Sequence, residues 1–212
     1  MSERIEELFT DQAIITKVQN KLPLMFQMAE RELSRHGKAG METGTLREKI
    51  ITALLTYKFG ESNVDLEIPI IATEVDVKLF GQSFSIKTKT TKSPNPGQFK
   101  LIWTVDKQKA LEFRNTYSPS CGLILAHIFW GKTGGLYYIP LAVQSELLQS
   151  IGREKYIKLP KEKTNPRGVE ISSHAVKQLL ADSRIRKIPI KWIRQEIDYN
   201  PYERWLELWQ ED

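Results

Sequence analysis

The sequence contains a single cysteine, and this scarcity excludes two kinds of site. Cys121 has no partner for a disulfide within the chain, and a zinc site built from several cysteines is likewise excluded. The three histidines, His36, His127 and His174, lie far apart and lack the spacing of metal ligands. Carboxylates and lysines therefore remain as the candidates for catalytic chemistry.

Long apolar runs are also missing. No stretch approaches the ~20 apolar residues that a membrane-spanning helix needs, so an integral membrane protein is excluded. Residues 1–9 are charged and lack the apolar centre of a secretory signal, which predicts a cytoplasmic protein. With 212 residues, of which 41% are hydrophobic and 27% charged, the chain is expected to form one globular domain.

Positive charge is segregated along the chain, although the net charge is only +5. Residues 78–109 contain seven lysines and a single acid, Asp106, and two further basic stretches cover 153–167 and 184–194. The final stretch, 196–212, is acidic apart from Arg204. Such segregation indicates a polyanion partner such as nucleic acid, although lysine-rich surfaces also serve solubility alone.

The periodicity of apolar residues predicts an α/β domain. Helices are predicted over 11–36, 45–59, 107–117, 141–150, 172–181 and 202–209, and Pro23 suggests a kink or two helices in the first. Strands are predicted over 66–70, 74–80, 83–90, 99–105, 122–130, 136–139 and 155–159. From residue 45 a helix, a group of strands, a second helix and a further strand follow, which is typical of a mixed sheet with flanking helices.

A predicted hairpin brings a carboxylate and a lysine together. Strands 74–80 and 83–90 are joined at Gly81–Gln82, so Asp76 can lie near Lys87 across adjacent strands. Phosphodiester hydrolysis uses carboxylates to hold a divalent cation and a lysine to orient water or stabilise negative charge. The same pair is also compatible with a purely structural ion pair on the surface of a sheet.

These residues resemble the PD-(D/E)xK nuclease superfamily over about 45–130. The features that carry the resemblance are Glu48 in a helix, Asp76 in the first hairpin strand, and the segment from Ser85 to Lys89 in the second. Within the superfamily the chain is similar to the ThaI family of type II restriction endonucleases, in which a methionine precedes the helix, as Met41 does here. The resemblance implies a restriction-endonuclease-like αβββαβ core with an added N-terminal helical segment.

The resemblance also implies a catalytic centre. Glu48, Asp76 and Lys87 would be the catalytic residues, and Mg²⁺ would be held by Glu48, Asp76 and the main-chain carbonyl of Ile86. Ser85 stands where the superfamily usually has an acid, so the hairpin offers fewer metal ligands than usual. Glu74 is the fallback carboxylate.

Glu48 has a second interpretation that depends on where its helix begins. If the helix starts after Thr45, Thr45 and Glu48 form a capping box, in which the glutamate bonds back to the Thr45 amide. Ile51 and Leu55, however, share the helix face of Glu48, which favours an inward-facing side chain.

Double-stranded DNA is the expected partner. Met41 lies in a basic, glycine-flanked loop and is predicted either to wedge between base steps from the minor groove or to pack in the core. The candidate DNA contacts are basic residues, for which base and phosphate contacts stay equally open: Lys38, Lys89, Lys92, Lys100 and Arg167.

The resemblance implies cleavage of the palindrome CGCG to blunt ends, and hence a two-fold symmetric homodimer. The chain is expected to divide into an N-terminal helical and DNA-contacting part (1–41), a catalytic core (42–150) and a C-terminal extension (151–212) within one nuclease domain. Two alternatives stay open, namely a repair nuclease or junction resolvase, and a DNA-binding protein without catalytic activity.

Overall fold

A computed structural model describes residues 4–35, 38–39, 42–69, 74–160 and 168–211, with the backbone alone at 34–35 and 38–39. No helix in these ranges is long and apolar enough to cross a bilayer. The described helices are α1 (Glu7–Thr10), α2 (Gln12–Glu32), α3 (Glu42–Phe59), α4 (Lys107–Thr116), α5 (Leu141–Ile151), α6 (Arg153–Tyr156), α7 (Ser173–Leu179) and α8 (Glu203–Gln210).

The described strands are mostly short. They are β1 (Ser34–Arg35), β2 (Lys38–Ala39), β3 (Val64–Asp65), β4 (Val77–Leu79), β5 (Gln82–Thr90), β6 (Phe99–Ile102), β7 (Gly122–Ile128), β8 (Thr133–Ile139), β9 (Ile157–Lys158), β10 (Val169–Ile171) and β11 (Arg186–Lys191). The main sheet has the order β11-β8-β7-β5-β4-β3, while β6, β10 and β9 form a smaller sheet and β1 and β2 a ribbon.

The main sheet is mixed, as the sequence predicts. Strands β5 and β7 run parallel, and the other neighbours in this sheet are antiparallel. Apart from β6, which belongs to the smaller sheet, the succession α3, β3, β4, β5, α4, β7 follows the αβββαβ order, and α1 and α2 form the added N-terminal segment.

Apolar cores cover both faces of the main sheet, which explains why all seven residues of β7 are buried. One core joins α1, α2 and α3 to residues such as Phe84 and Ile86 of β5. The other includes residues of α4, α5 and α7 together with Leu123 and Leu125 of β7. Cys121 and His127 are both buried.

Several predicted boundaries are wrong. The strand predicted over 66–70 is wrong for its described part: β3 covers Val64–Asp65, and residues 66–69 form no strand. The hairpin turn lies at Phe80–Gly81 rather than Gly81–Gln82, and both turn residues have positive φ, 50° and 77°. Helix α2 is a single helix that contains Pro23, so the alternative of two helices is wrong.

Candidate active site

Asp76 lies immediately before β4, and its carboxylate is held by the neighbouring strand. Its main-chain N–H donates to the carbonyl of Phe84 (2.9 Å), one position short of Ser85, which the register of β4 against β5 would place opposite it. One carboxylate oxygen, Oδ2, accepts hydrogen bonds from the amide of Ile86 (2.6 Å), the hydroxyl of Ser85 (3.1 Å) and Nζ of Lys87 (3.0 Å). The described residues donate no hydrogen bond to the other oxygen, Oδ1.

The strand register explains this arrangement. Val77 pairs with Phe84, so Asp76 lies opposite Ser85, and Lys87 is the diagonal neighbour on the same face. The structure therefore brings Asp76 and Lys87 together, as predicted, with side chains that are 30% and 21% exposed.

Ser85 holds the carboxylate of Asp76. The serine is buried, and its hydroxyl donates to Asp76. The hairpin consequently contributes one acidic side chain at this point. Among the described residues there is no group of three or more histidine, cysteine, aspartate or glutamate side chains that could hold a metal ion.

Glu48 is oriented toward the hairpin, and its helix begins earlier than the sequence predicts. Because α3 starts at Glu42, Thr45 lies inside the helix, and the predicted capping box is wrong. Ile51 and Leu55, on the same face, are fully buried in the core beneath β5.

The electrostatic environment of Glu48 links it to the other two residues. Burial raises the pKa of the Glu48 carboxyl to about 7; the ammonium of Lys87 lowers it and the carboxylate of Asp76 raises it. The three predicted catalytic side chains therefore interact with one another. They lie near one another because two share a hairpin and the third lies on the apolar face of a helix packed beside it.

The main-chain carbonyl of Ile86 points to the same edge of β5 as the Ile86 N–H, which donates to Asp76. Within a strand, the N–H and C=O of one residue point to the same neighbouring strand. Since the Ile86 amide donates to Asp76 beyond the end of β4, its carbonyl is directed to the edge where Asp76 lies.

Glu74 lies before β4 rather than in it, so it does not alternate with Asp76 along a strand as predicted. Its carboxylate accepts hydrogen bonds from the hydroxyl of Tyr117 (2.8 Å) and the amide of Ser120 (3.1 Å). Glu74 thus anchors the chain entering β4 to the segment between α4 and β7.

A buried ion pair involves Arg47, the residue next to Glu48, and no motif in the sequence predicts it. Arg47 is 6% exposed, forms an ion pair with Glu30 of α2, and donates to Oγ1 of Thr90 at the end of β5 (3.0 Å). Glu30 also accepts from Nε1 of Trp130 (2.9 Å) and pairs with Arg194. These contacts fix α3 against β5, the two elements that supply Glu48 and Lys87.

The predicted DNA contacts are only partly described. Lys89 lies on β5 two residues after Lys87, and Lys92 is exposed in the loop that follows. Lys100 lies in β6 of the smaller sheet, with Nζ 3.7 Å from the ring centre of Trp103. Met41 and Arg167 lie outside the described residues, as does the side chain of Lys38.

Comparison with known proteins agrees with this geometry. Residues 8–211 match the sequence profile of the family described as restriction endonuclease ThaI. The chain belongs to the ThaI family of restriction endonucleases. A solved structure described as a restriction endonuclease in complex with substrate DNA is 53% identical to the chain, with a TM-score of 0.92 over 98% of this chain and 99% of that one. No curated protein sequence is significantly similar.

Membership of the ThaI family establishes the class of activity. The chain is a type II restriction endonuclease, a site-specific deoxyribonuclease that hydrolyses phosphodiester bonds. The family also implies a divalent metal cofactor. Both alternatives that the sequence left open, a repair nuclease and a DNA-binding protein without activity, are therefore disfavoured.

Proposed function

We propose that the protein is a Mg²⁺-dependent homodimer that cuts both strands of CGCG in double-stranded DNA to blunt ends, and that it acts in the cytoplasm. The observation that carries the proposal is the contact of Asp76 Oδ2 with Lys87 Nζ at 3.0 Å, next to Glu48. The specificity and the assembly rest on the similarity to the ThaI family and to a structure that holds substrate DNA.

The donor atoms suit a hard divalent cation. Glu48, Asp76 and the carbonyl of Ile86 offer oxygen ligands of the kind that Mg²⁺ prefers, with water and a DNA phosphate oxygen completing the shell. The raised pKa of Glu48 supports this assignment, because a cation beside a buried carboxyl favours its ionised form. Since Ser85 supplies no charge, we propose a single principal metal position.

Each residue of the centre then has a distinct task. A bound cation neutralises charge on the scissile phosphate and lowers the pKa of a bound water. Ile86 and Ser85 fix the orientation of Asp76 through their hydrogen bonds to Oδ2. Lys87, held against Asp76, orients the attacking water and stabilises the negative charge that develops on the phosphate.

Digestion of a sequenced plasmid tests the proposal. With Mg²⁺ we expect a defined fragment ladder whose ends map to blunt cuts at CGCG, and with EDTA we expect intact plasmid, because the cation is required for hydrolysis. Cutting that is confined to branched DNA would instead indicate a junction resolvase. Cutting that persists in EDTA would exclude the metal requirement.

Met41 is proposed to be the wedge that opens a base step. Pyrimidine–purine steps such as CG are readily deformed, so an apolar side chain inserted there contributes to specific binding. Met41→Ala should weaken binding to a CGCG duplex by about tenfold or more, measured by titration with Ca²⁺ in place of Mg²⁺. Leu111→Ala, at an exposed position on α4, serves as the control for the loss of an exposed apolar side chain.

The melting temperature of Met41→Ala decides between the two interpretations of this residue. An unchanged melting temperature with weaker specific binding supports the wedge. A large loss of stability with unchanged binding would assign Met41 to the core.

A further inference from the structure

An apolar groove runs between α2 and α3 on the outer side of the molecule. It has a volume of about 680 Å³, and its lining includes Leu22, Met25, Ile50, Leu54 and Tyr57. Met25 and Tyr57 are 41% and 63% exposed. An apolar surface of this size on an exposed face is typical of an interaction site.

Helix α8 carries a matching apolar face that is exposed in the described part of the chain. Tyr202, Trp205, Leu206 and Trp209 recur at helical spacing and form one stripe, and none of the eight helix residues is buried. Trp205 is 59% exposed and Trp209 is 89% exposed. Because two exposed tryptophans on one short helix favour burial strongly, α8 is expected to pack against another surface.

Charge indicates which surface α8 fits. Helix α8 carries Glu203 and Glu207 beside its apolar face, and its one basic residue, Arg204, pairs with Glu207. The groove has Lys17 and Lys21 on its border, and neither lysine forms an ion pair within the described part of the chain; the acidic residue in its lining, Glu32, accepts a hydrogen bond from Tyr199. Glu203, which has no ion pair among the described residues, therefore complements the lysines that border the groove.

The path of the C-terminal segment indicates that the helix docks on a second copy of the chain. The segment before α8 is bound to α2, since Gln27 bonds to the backbone of Gln195 and Tyr199 to Glu32. Tyr199 lines one end of the groove of its own chain, yet α8 contributes no residue to that lining. The helix thus begins four residues after Tyr199, while none of its own residues lines the groove of its own chain.

We propose that α8 of each subunit docks in the α2–α3 groove of the other, which forms a two-fold symmetric interface. Both grooves then lie beside the two-fold axis, and each pair of contacts is repeated by symmetry. The inference rests on the homodimer proposed above and assigns the surface that forms it. It also gives the exposed aromatic residues of α8 a place in the assembly.

Cross-linking between two different chains tests this exchange. One variant carries Lys21→Cys on the groove border and the other carries Glu203→Cys beside the stripe, so the apolar contacts stay intact. After mixing and treatment with a short bis-maleimide, we expect a cross-linked dimer on a denaturing gel. The native Cys121 does not interfere, because it is buried and burial raises the pKa of its thiol to about 12.

The controls separate an exchanged helix from other arrangements. Gln149→Cys lies exposed on α5, which packs on the opposite face of the sheet, and its mixture with Glu203→Cys should give no linked dimer. A chain with both Lys21→Cys and Glu203→Cys that cross-links only within itself would show that α8 closes on its own groove. That outcome, or no cross-link in the mixture, overturns the proposal.

Two further measurements distinguish a failure of the α8 docking proposal from a failure of the proposed function. Light scattering of the wild-type protein on CGCG DNA reports whether the dimer exists, and plasmid cleavage reports the activity. A cleaving dimer without the cross-link refutes the α8 assignment alone. Trp209→Ala should weaken dimerisation by about tenfold or more, against little change for Gln210→Ala on the same helix; equal effects would contradict the assignment.

Discussion

Glu48→Gln is expected to abolish DNA cleavage while making the metal-free protein more stable. The glutamine keeps the shape of the side chain but cannot supply a charged metal ligand. We expect the rate of cleavage at CGCG to fall by about 10³-fold or more, because a lost metal contact removes several kcal/mol of transition-state stabilisation. Single-turnover cleavage with excess enzyme measures the effect.

The gain in stability follows from the raised pKa of Glu48. A carboxyl with a pKa of about 7 when folded and 4.5 ordinarily holds its proton more tightly in the folded protein. The protonated Glu48 carboxyl contributes its full stabilisation of the fold below pH 4.5, and this contribution is lost as pH rises through about 7. Above that pH, Glu48→Gln should raise the free energy of unfolding by about 1–3 kcal/mol.

Thermal melting in EDTA at several pH values checks this prediction. The difference in melting temperature between variant and wild type should grow as pH rises from about 5 to about 8, with about 2–4 °C per kcal/mol. Glu61→Gln, at an exposed position just after α3, is the control. It should change neither the rate of DNA cleavage nor the melting temperature. Cleavage by Glu48→Gln at the wild-type rate would exclude Glu48 as a metal ligand.

Arg47→Met is expected to be among the most destabilising substitutions in the protein. It removes the guanidinium that pairs with Glu30 and bonds to Thr90, and leaves a buried carboxylate with fewer partners. Loss of one partner of a buried ion pair destabilises a protein by about 3–5 kcal/mol. Urea denaturation at neutral pH measures the change as a lower midpoint.

An exposed ion pair provides the control for Arg47. Arg184 pairs with Glu146 at the surface, and Arg184→Met should shift the urea midpoint far less. If Arg47→Met lowered the urea midpoint as little as Arg184→Met, the Arg47–Glu30 pair would not be what holds α3 against β5.

The local parts of the site could be predicted from the sequence. Asp76 and Lys87 lie eleven positions apart on one hairpin, where the two-residue alternation of strands fixes which side chains meet. The turn was misplaced by one residue because Phe80, rather than a glycine alone, adopts positive φ. Even so, the same pair of side chains shares a face, since the shift moves Lys87 from directly opposite Asp76 to the diagonal position.

Contacts between distant segments could not be predicted. The partners of Glu30 come from α3, from the end of β7 and from the C-terminal segment, up to 164 positions away. Strand β11 was missed because Pro189 lies within it, and proline is accepted there only because β11 is at the edge of the sheet. The start of α3 was missed because Gly44, a poor helix former, falls in its first turn.

The late position of β11 and Trp192 in the chain has a consequence for synthesis in the cell. Trp192 is fully buried and stacks on Phe26 of α2, while Arg194 reaches Glu30 behind the active centre. A nascent chain still on the ribosome lacks these contacts until residues 192–194 have emerged, long after Glu48, Asp76 and Lys87. Unfinished products of a DNA-cutting enzyme are therefore expected to be inert toward the host chromosome.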